Sequence, residues 1–313
     1  MVFASAAALS CTAQARSAAT VTAGQAAEHA AAAAEAGRCS EALPILARTA
    51  AHVTDKELQK RAALDGVRCA TLLQSWGQLL GLMQTLNQHF PDDPEVLYVS
   101  VHAYSDLSNH AAQNLAQTAP HSLPALEMDA EANEVQGKWD QAEKDYRKIL
   151  EENPHYPGIH FRLARLLLSR PNPASDFQEQ AKKELQQELT IDPANAGAEY
   201  VSGELARQAQ DPAAAVRHFT RATELDGNFA AAYLGLGLSL LTEKKYEPAI
   251  APLKAAVRLE PGNPAGHYAL ATAYARTGHR EDAEREFALQ QQAAQETGQG
   301  SPQGAGQGDK SPQ

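Results

Sequence analysis

The sequence predicts an all-α protein built as a stack of antiparallel helical hairpins, and three observations lead there. Residue columns recur at intervals of 34 positions. Each interval holds two amphipathic stretches of about a dozen residues separated by a polar turn, a helical rather than a strand period. Runs of β-branched residues framed by turn signals, which would indicate strands, are missing.

The columns carry their own physical explanation. Gly203, Gly237 and Ala271 share the spacing of 34, as do Ala215, Ala249 and Ala283, then Phe219, Leu253 and Phe287. Small residues let two helix backbones approach closely, and the large apolar column fills the space beside them. Tyr200, Leu234 and Tyr268 form a fourth column at the same interval. A proline such as Pro261 stops the second helix and starts the turn into the next unit. One hairpin cannot bury its own apolar face, so neighbours must stack.

Composition agrees and excludes other classes. The 313 residues are 43% hydrophobic, ample for a sizeable core. The net charge of −11, with no cluster of Lys and Arg, opposes binding to nucleic acid or to an anionic membrane surface. No apolar stretch approaches the roughly 20 residues that span a bilayer.

Taken along the chain, residues 1–22 read as a signal peptide or an unstructured start. Met1 to Leu9 are small and apolar, and Ala13-Gln14-Ala15 fits a signal-peptidase cut, although a basic leading region is absent. This predicts export to a periplasmic or extracellular space, with the cytoplasm as the alternative. Residues 23–122 contain eroded hairpins. Gly24–Thr54 carries Gly37, Ala42 and Leu46; Lys60–Asp93 carries Trp76, Met83 and Pro91; Pro94–Ser122 reads as a first helix (Leu97, Val101, Tyr104) and a shortened second one. From residue 123 to 295 the pattern is well formed. Leu123–Tyr156 keeps Gly137, Trp139, Ala142 and Tyr146, and Pro157–Asn195 keeps Leu163, Ala164, Ala181 and Leu185. Ala196–Phe229, Ala230–Asn263 and Pro264 to about Ala294 follow. The segment 296–313 is Gly, Gln, Ser and Pro and reads as a disordered tail.

The unit Ala230–Asn263, with Tyr233, Leu236, Gly237, Leu240, Ala249, Leu253, Ala256 and Pro261, resembles the tetratricopeptide repeat family. So does the next, with His267, Leu270, Ala271, Tyr274, Gly278, Ala283 and Phe287. The resemblance implies a right-handed superhelical solenoid of about 7–8 units, the first ones degenerate. It also implies a concave groove, lined by the first helix of each unit, that holds peptide segments of other proteins. Carried over residue by residue, that groove holds Phe161, Arg165 and Leu168; Tyr200, Glu204 and Arg207; Leu234, Leu238 and Leu241; and Tyr268, with Arg276 at its edge. Aromatic or aliphatic anchors beside arginines suit a peptide with apolar side chains and an acidic group. The plainer reading of Leu234 and Leu238 is packing between successive helices. Glu127, Glu131 and Glu134 occupy the stripe of an earlier unit, so the groove is expected to turn acidic there.

Cys39 starts a second helix and Cys69 lies near the end of the next first helix, which makes them neighbours across antiparallel helices. A disulfide is one reading, tied to export; two small buried hydrophobes is the other. The 11 histidines are scattered, with no paired cysteines at metal spacing, so neither a metal site nor a cofactor is expected. Nucleophile contexts are equally absent, and no catalytic residue is assigned. The chain therefore reads as a non-catalytic scaffold for partner proteins or peptides. An accessory or regulatory subunit of a cell-envelope enzyme or assembly is the alternative, and self-association is a third outcome.

Overall fold

The structure, a computed structural model, describes residues 23–171 and 174–299. The expected signal segment 1–22 and the end of the tail beyond 299 lie outside the described residues. Among those residues there are fifteen α-helices, one 3-10 turn and no strand. They divide into two compact units, one up to Pro120 and one from His121.

The first unit contains α1 (residues 23–35), α2 (Cys39–Thr49), a 3-10 turn (Ala50–His52), α3 (Lys56–Leu72), α4 (Trp76–His89) and α5 (Pro94–Thr118). Its core joins Leu43 and Leu46 of α2 to Val67 of α3, Leu79, Leu82 and Leu86 of α4, and Val96 of α5. Cys39 and Cys69 are joined by a disulfide, with their Cα atoms 4.9 Å apart.

One expectation fails in this unit. The stretch Pro94–Ser122 is not a hairpin with a shortened second helix but a single 25-residue helix. No Gly or Pro falls between Glu95 and Thr118 to turn the chain, so nothing interrupts the hydrogen-bond ladder. With no second helix folded back on it, α5 leaves Leu97, Val101 and Tyr104 about half exposed or more, at 50%, 67% and 47%.

The second unit is five consecutive hairpins: α6 (Leu123–Val135) with α7 (Trp139–Glu152), α8 (Ile159–Ser169) with α9 (Phe177–Ile191), α10 (Ala196–Gln208) with α11 (Pro212–Leu225), α12 (Ala230–Thr242) with α13 (Tyr246–Leu259), and α14 (Pro264–Thr277) with α15 (Arg280–Gln299). The last helix reaches Gln299, so the segment read as tail from Glu296 begins in helix; Gln295 and Glu296 are good helix formers that extend it.

Recurring local chemistry explains the hairpins. The turn between the two helices places one residue in the left-handed region, as Gly37, Gly137 and Gly278 do; Gln74, Gln210 and Lys244 occupy the same turn position with φ of 51°, 59° and 59°. First helices start on side-chain caps: Asp55 accepts from the amide of Leu58, Asn195 from Ala198 and Asn263 from Ala265. Within hairpins the small column works as its chemistry requires. A Cβ placed on Gly203 would lie 2.8 Å from the Phe219 ring, and one on Gly235 2.6 Å from the same ring. Phe219 is thus seated between two successive first helices.

The polar interior is less regular. The residue that caps helix α8 is Gly158, which has no side chain to do so. The fully buried carboxylate of Glu188 on α9 takes over, accepting from the amides of Gly158 (3.0 Å) and Phe161 (3.3 Å) and from the Asn195 side chain (3.0 Å). The positive end of the helix dipole adds to this placement of a negative group. Three hairpins are also tied by a His–Glu pair across their two helices. His160 Nδ1 lies 2.6 Å from Glu184 and His267 Nδ1 2.7 Å from Glu286, while Nε2 of each ring faces the carbonyl of the preceding turn, at Pro154 and Pro261. In α10–α11 the pair is reversed: Glu199 is on the first helix and His218 on the second, 2.7 Å apart.

Candidate partner-binding face

The residues at the fifth, ninth and twelfth positions of successive first helices are Phe161 and Arg165 on α8, Tyr200, Glu204 and Arg207 on α10, Leu234 and Leu238 on α12, and Tyr268 on α14. Their environments differ, and the differences separate packing from display.

Phe161 is half-buried because its ring presses on the first turn of the next first helix: a Cβ on Gly197 would lie 2.8 Å from Phe161 Cζ. Tyr200 does the same through aromatic contacts, its ring centroid 4.9 Å from Phe229 and 5.8 Å from Phe219. Burial, with the Glu204 carboxylate adding to it, holds the Tyr200 hydroxyl above its ordinary pKa, so the phenol is protonated at neutral pH. Leu234 and Leu238 are partly buried and pack on the core that includes Leu240, Leu253 and Leu270. Tyr268 is 59% exposed, with only an edge contact to Phe287. It belongs to the last first helix among the described residues, so no following helix covers it.

The charged members also divide. Arg207 is held by Glu204 at 2.7 Å, and that bond raises its pKa further; this arginine is neutralised locally. Arg165 is exposed, lies 5.8 Å from the Phe161 ring, and has no carboxylate partner among the described residues. Arg276 lies 5.8 Å from the Tyr246 ring in the same manner. The acidic stripe on α6 is largely satisfied from within: Arg162 reaches Glu127 (3.1 Å) and Glu131 (2.7 Å), and Glu134 accepts from the Tyr146 hydroxyl at 3.1 Å. Arg162 was not singled out from sequence; it sits one residue off the stripe, and only the distance to α6 reveals its role.

Among the described residues no group of His, Cys, Asp and Glu could hold a metal ion, and no helix is long and apolar enough to cross a membrane.

Sequence comparison decides the family. The profile described as Tetratricopeptide repeat matches residues 130–196 and 200–264, and a second of the same description matches 240–300, together more than half of the chain. The chain belongs to the tetratricopeptide repeat family. No curated protein matches it by sequence at a significant level. Among solved structures, this tetratricopeptide repeat chain is similar to the MamA RS-1 ArsTM double mutant, at 16% identity and a TM-score of 0.50, covering 56% of this chain and 96% of that one. It is also similar to MamA residues 41 to the end from Desulfovibrio magneticus RS-1 (17%, TM-score 0.49, 57% of this chain and 97% of that). A third is YrrB, described as a TPR protein with an unusual peptide-binding site (18%, TM-score 0.49, 58% and 92%). At these identities the likeness concerns the fold: a tetratricopeptide repeat array of stacked helical hairpins.

Proposed function

We propose that this tetratricopeptide repeat protein is a non-catalytic scaffold that holds segments of partner proteins along the first helices of its second unit. The observation that carries the reading is Arg165: an exposed guanidinium with no carboxylate partner among the described residues, beside the half-buried Phe161 ring. A cation without a partner beside an aromatic surface suits an acidic group flanked by apolar side chains. Arg276 beside the Tyr246 ring offers the same combination further along the array, and Tyr268 on the same helix adds an exposed ring. Arg207 contributes less, since Glu204 already occupies it.

Affinity capture from the native host with the wild-type chain and with Arg165→Glu tests this reading. Charge reversal should remove the captured partners by at least tenfold, and Arg276→Glu should remove part of them. Unchanged capture by the Arg165→Glu, Arg276→Glu double variant would sink it.

The same reading includes an exported location. The Cys39–Cys69 disulfide supports it, since such bonds persist in oxidising compartments and are rare in the cytosol. N-terminal sequencing of the protein recovered from its host tests it: a mature chain beginning near residues 16–23 is expected, and an intact Met1 on the recovered protein would count against export.

A further inference from the structure

In the complete repeats, positions four, eight and eleven of the first helix turn toward the second helix of the same repeat. At position four, His160 faces Glu184, Glu199 faces His218 and His267 faces Glu286. At position eight, Gly203 meets Phe219 and Gly237 meets Leu253. At position eleven, Asn133 donates to Asp145 at 2.9 Å, and Leu240 and Tyr274 are buried. Helix α5 opens its repeat on the same kind of cap, with Asp93 accepting from the amides of Glu95 and Val96. Its residues at the three positions, counted from Pro94, are Leu97, Val101 and Tyr104, the side chains left about half exposed or more. The other side of α5, with Val96, Ala103 and Leu107, packs on the core of the first unit. The exposed face is therefore the one that a second helix covers elsewhere in the chain.

Two properties of α5 say what covers it here. The first is charge. Although 21% of the chain is charged, Asp106 is the only Asp, Glu, Lys or Arg between Val96 and Thr118. At about 100° per residue it lies on the side of the helix opposite Leu97. The second property is size. The complete repeats carry Ala130, Ala164, Gly203, Gly237 and Ala271 at position eight, which admits a large residue from the second helix. Val101 reverses that demand, so the covering helix must set a small residue opposite it.

Helix α5 carries such residues itself. Beyond Tyr104 the stripe continues through Ser108, Ala111 and Leu115, all within an arc of about 80° around Leu97. Ser108 and Ala111 are exposed and Leu115 is half-buried. The stripe is symmetrical about position 106: Val101 and Ala111 are equidistant from it, as are Tyr104 and Ser108, and Leu97 and Leu115. Two copies of α5 laid antiparallel bring Val101 against Ala111 and Tyr104 against Ser108, and a twofold axis makes each contact twice.

We propose that α5 is a self-association helix, covered by the antiparallel α5 of a second copy of this chain. Each copy supplies the other with the second helix that its own repeat lacks.

Sedimentation equilibrium of the full chain, from micromolar to submillimolar concentration, should show a dimer. Val101→Glu and Ala111→Lys, both at exposed positions, should each weaken it at least tenfold. Their circular dichroism at high dilution should match that of the parent, which separates lost association from lost folding. An equimolar mixture of the two variants should recover the dimer, because the new glutamate of one chain meets the new lysine of the other. Arg165→Glu should leave the dimer intact, which separates this face from the groove on the second unit. A parent chain that stays monomeric, or a dimer indifferent to Val101→Glu, would overturn the proposal. So would a mixture that associates no more tightly than either variant alone.

Discussion

A Cβ on Gly237 would lie 2.3 Å from Leu253 Cδ2, so the leucine occupies the space that any side chain on α12 would need. Gly237→Ala must move Leu253 or part the two helices, and overpacking of this kind costs about 1–3 kcal/mol. Urea unfolding should report that loss. Gly262→Ala, in a turn with nothing within 4 Å of the added Cβ, should stay within about 0.5 kcal/mol of the parent.

The left-handed turn position offers the opposite effect. Gln210 and Lys244 hold φ of 59° there, at a site where Gly137 and Gly278 stand in other hairpins. A non-glycine residue in this region is disfavoured by roughly 1 kcal/mol. Gln210→Gly and Lys244→Gly should each raise stability by about that amount, measured as a higher urea midpoint at unchanged slope.

Reduction of the Cys39–Cys69 bond should act on the first unit alone. The bond closes a loop across a sequence separation of 30, and loop closure of that length is worth about 3.5 kcal/mol. Cys39→Ser with Cys69→Ser should therefore shift hydrogen-exchange protection in α2–α4 and leave that of α10–α14 as it was.

Glu188 should be among the most sensitive polar positions. Glu188→Ala leaves the amides of Gly158 and Phe161 without an acceptor in a buried place, a loss of about 2–4 kcal/mol. Glu188→Gln keeps the shape but turns a donor toward those amides, so it should recover only part of the difference. Thermal unfolding of the three proteins under one set of conditions gives the comparison.

Stability should also carry a pH signature of Asp65. Its folded pKa is raised, chiefly by burial, above the ordinary aspartate range. The folded chain thus holds this proton more tightly than the unfolded one. The associated stability is complete below about pH 4 and is lost as pH rises through the folded value. Asp65→Asn should remove this slope and gain on the order of 1 kcal/mol at pH 7, with little difference at pH 3. Urea midpoints collected from pH 3 to pH 7 would show the two curves separating, or fail to.

The hairpins were legible in the sequence because their contacts repeat: Gly203 meets Phe219 and, 34 residues on, Gly237 meets Leu253, and repetition makes a column. The period of 34 does not carry through α5, whose stretch has no Gly or Pro to turn it, and that lack is the signal the sequence holds. At the groove, the positions of Tyr200 and Tyr268 were readable but their exposure was not. Exposure depends on whether the start of a following helix covers the ring, as Phe229, capping α12, does for Tyr200. Glu188 lay beyond reach because its partners come from a glycine at one helix start and an asparagine at another. The Glu204 clamp on Arg207 could have been found, being only three residues away on one helix.

The reversed pair in α10–α11 has a consequence for how such an array avoids misassembly. Near-identical hairpins can exchange helices during folding, and nothing in the Gly, Ala and Phe columns distinguishes one second helix from another. The orientation of the His–Glu pair sets α11 apart from α9 and α15. Were α11 to dock on α14, His218 would face His267; were α15 to dock on α10, Glu286 would face Glu199. Each wrong match sets like against like where the right one sets acid against base. The reversal thus marks α10 and α11 as partners for each other and not for the helices of α8–α9 or α14–α15, an assembly instruction written in a swap of two residues.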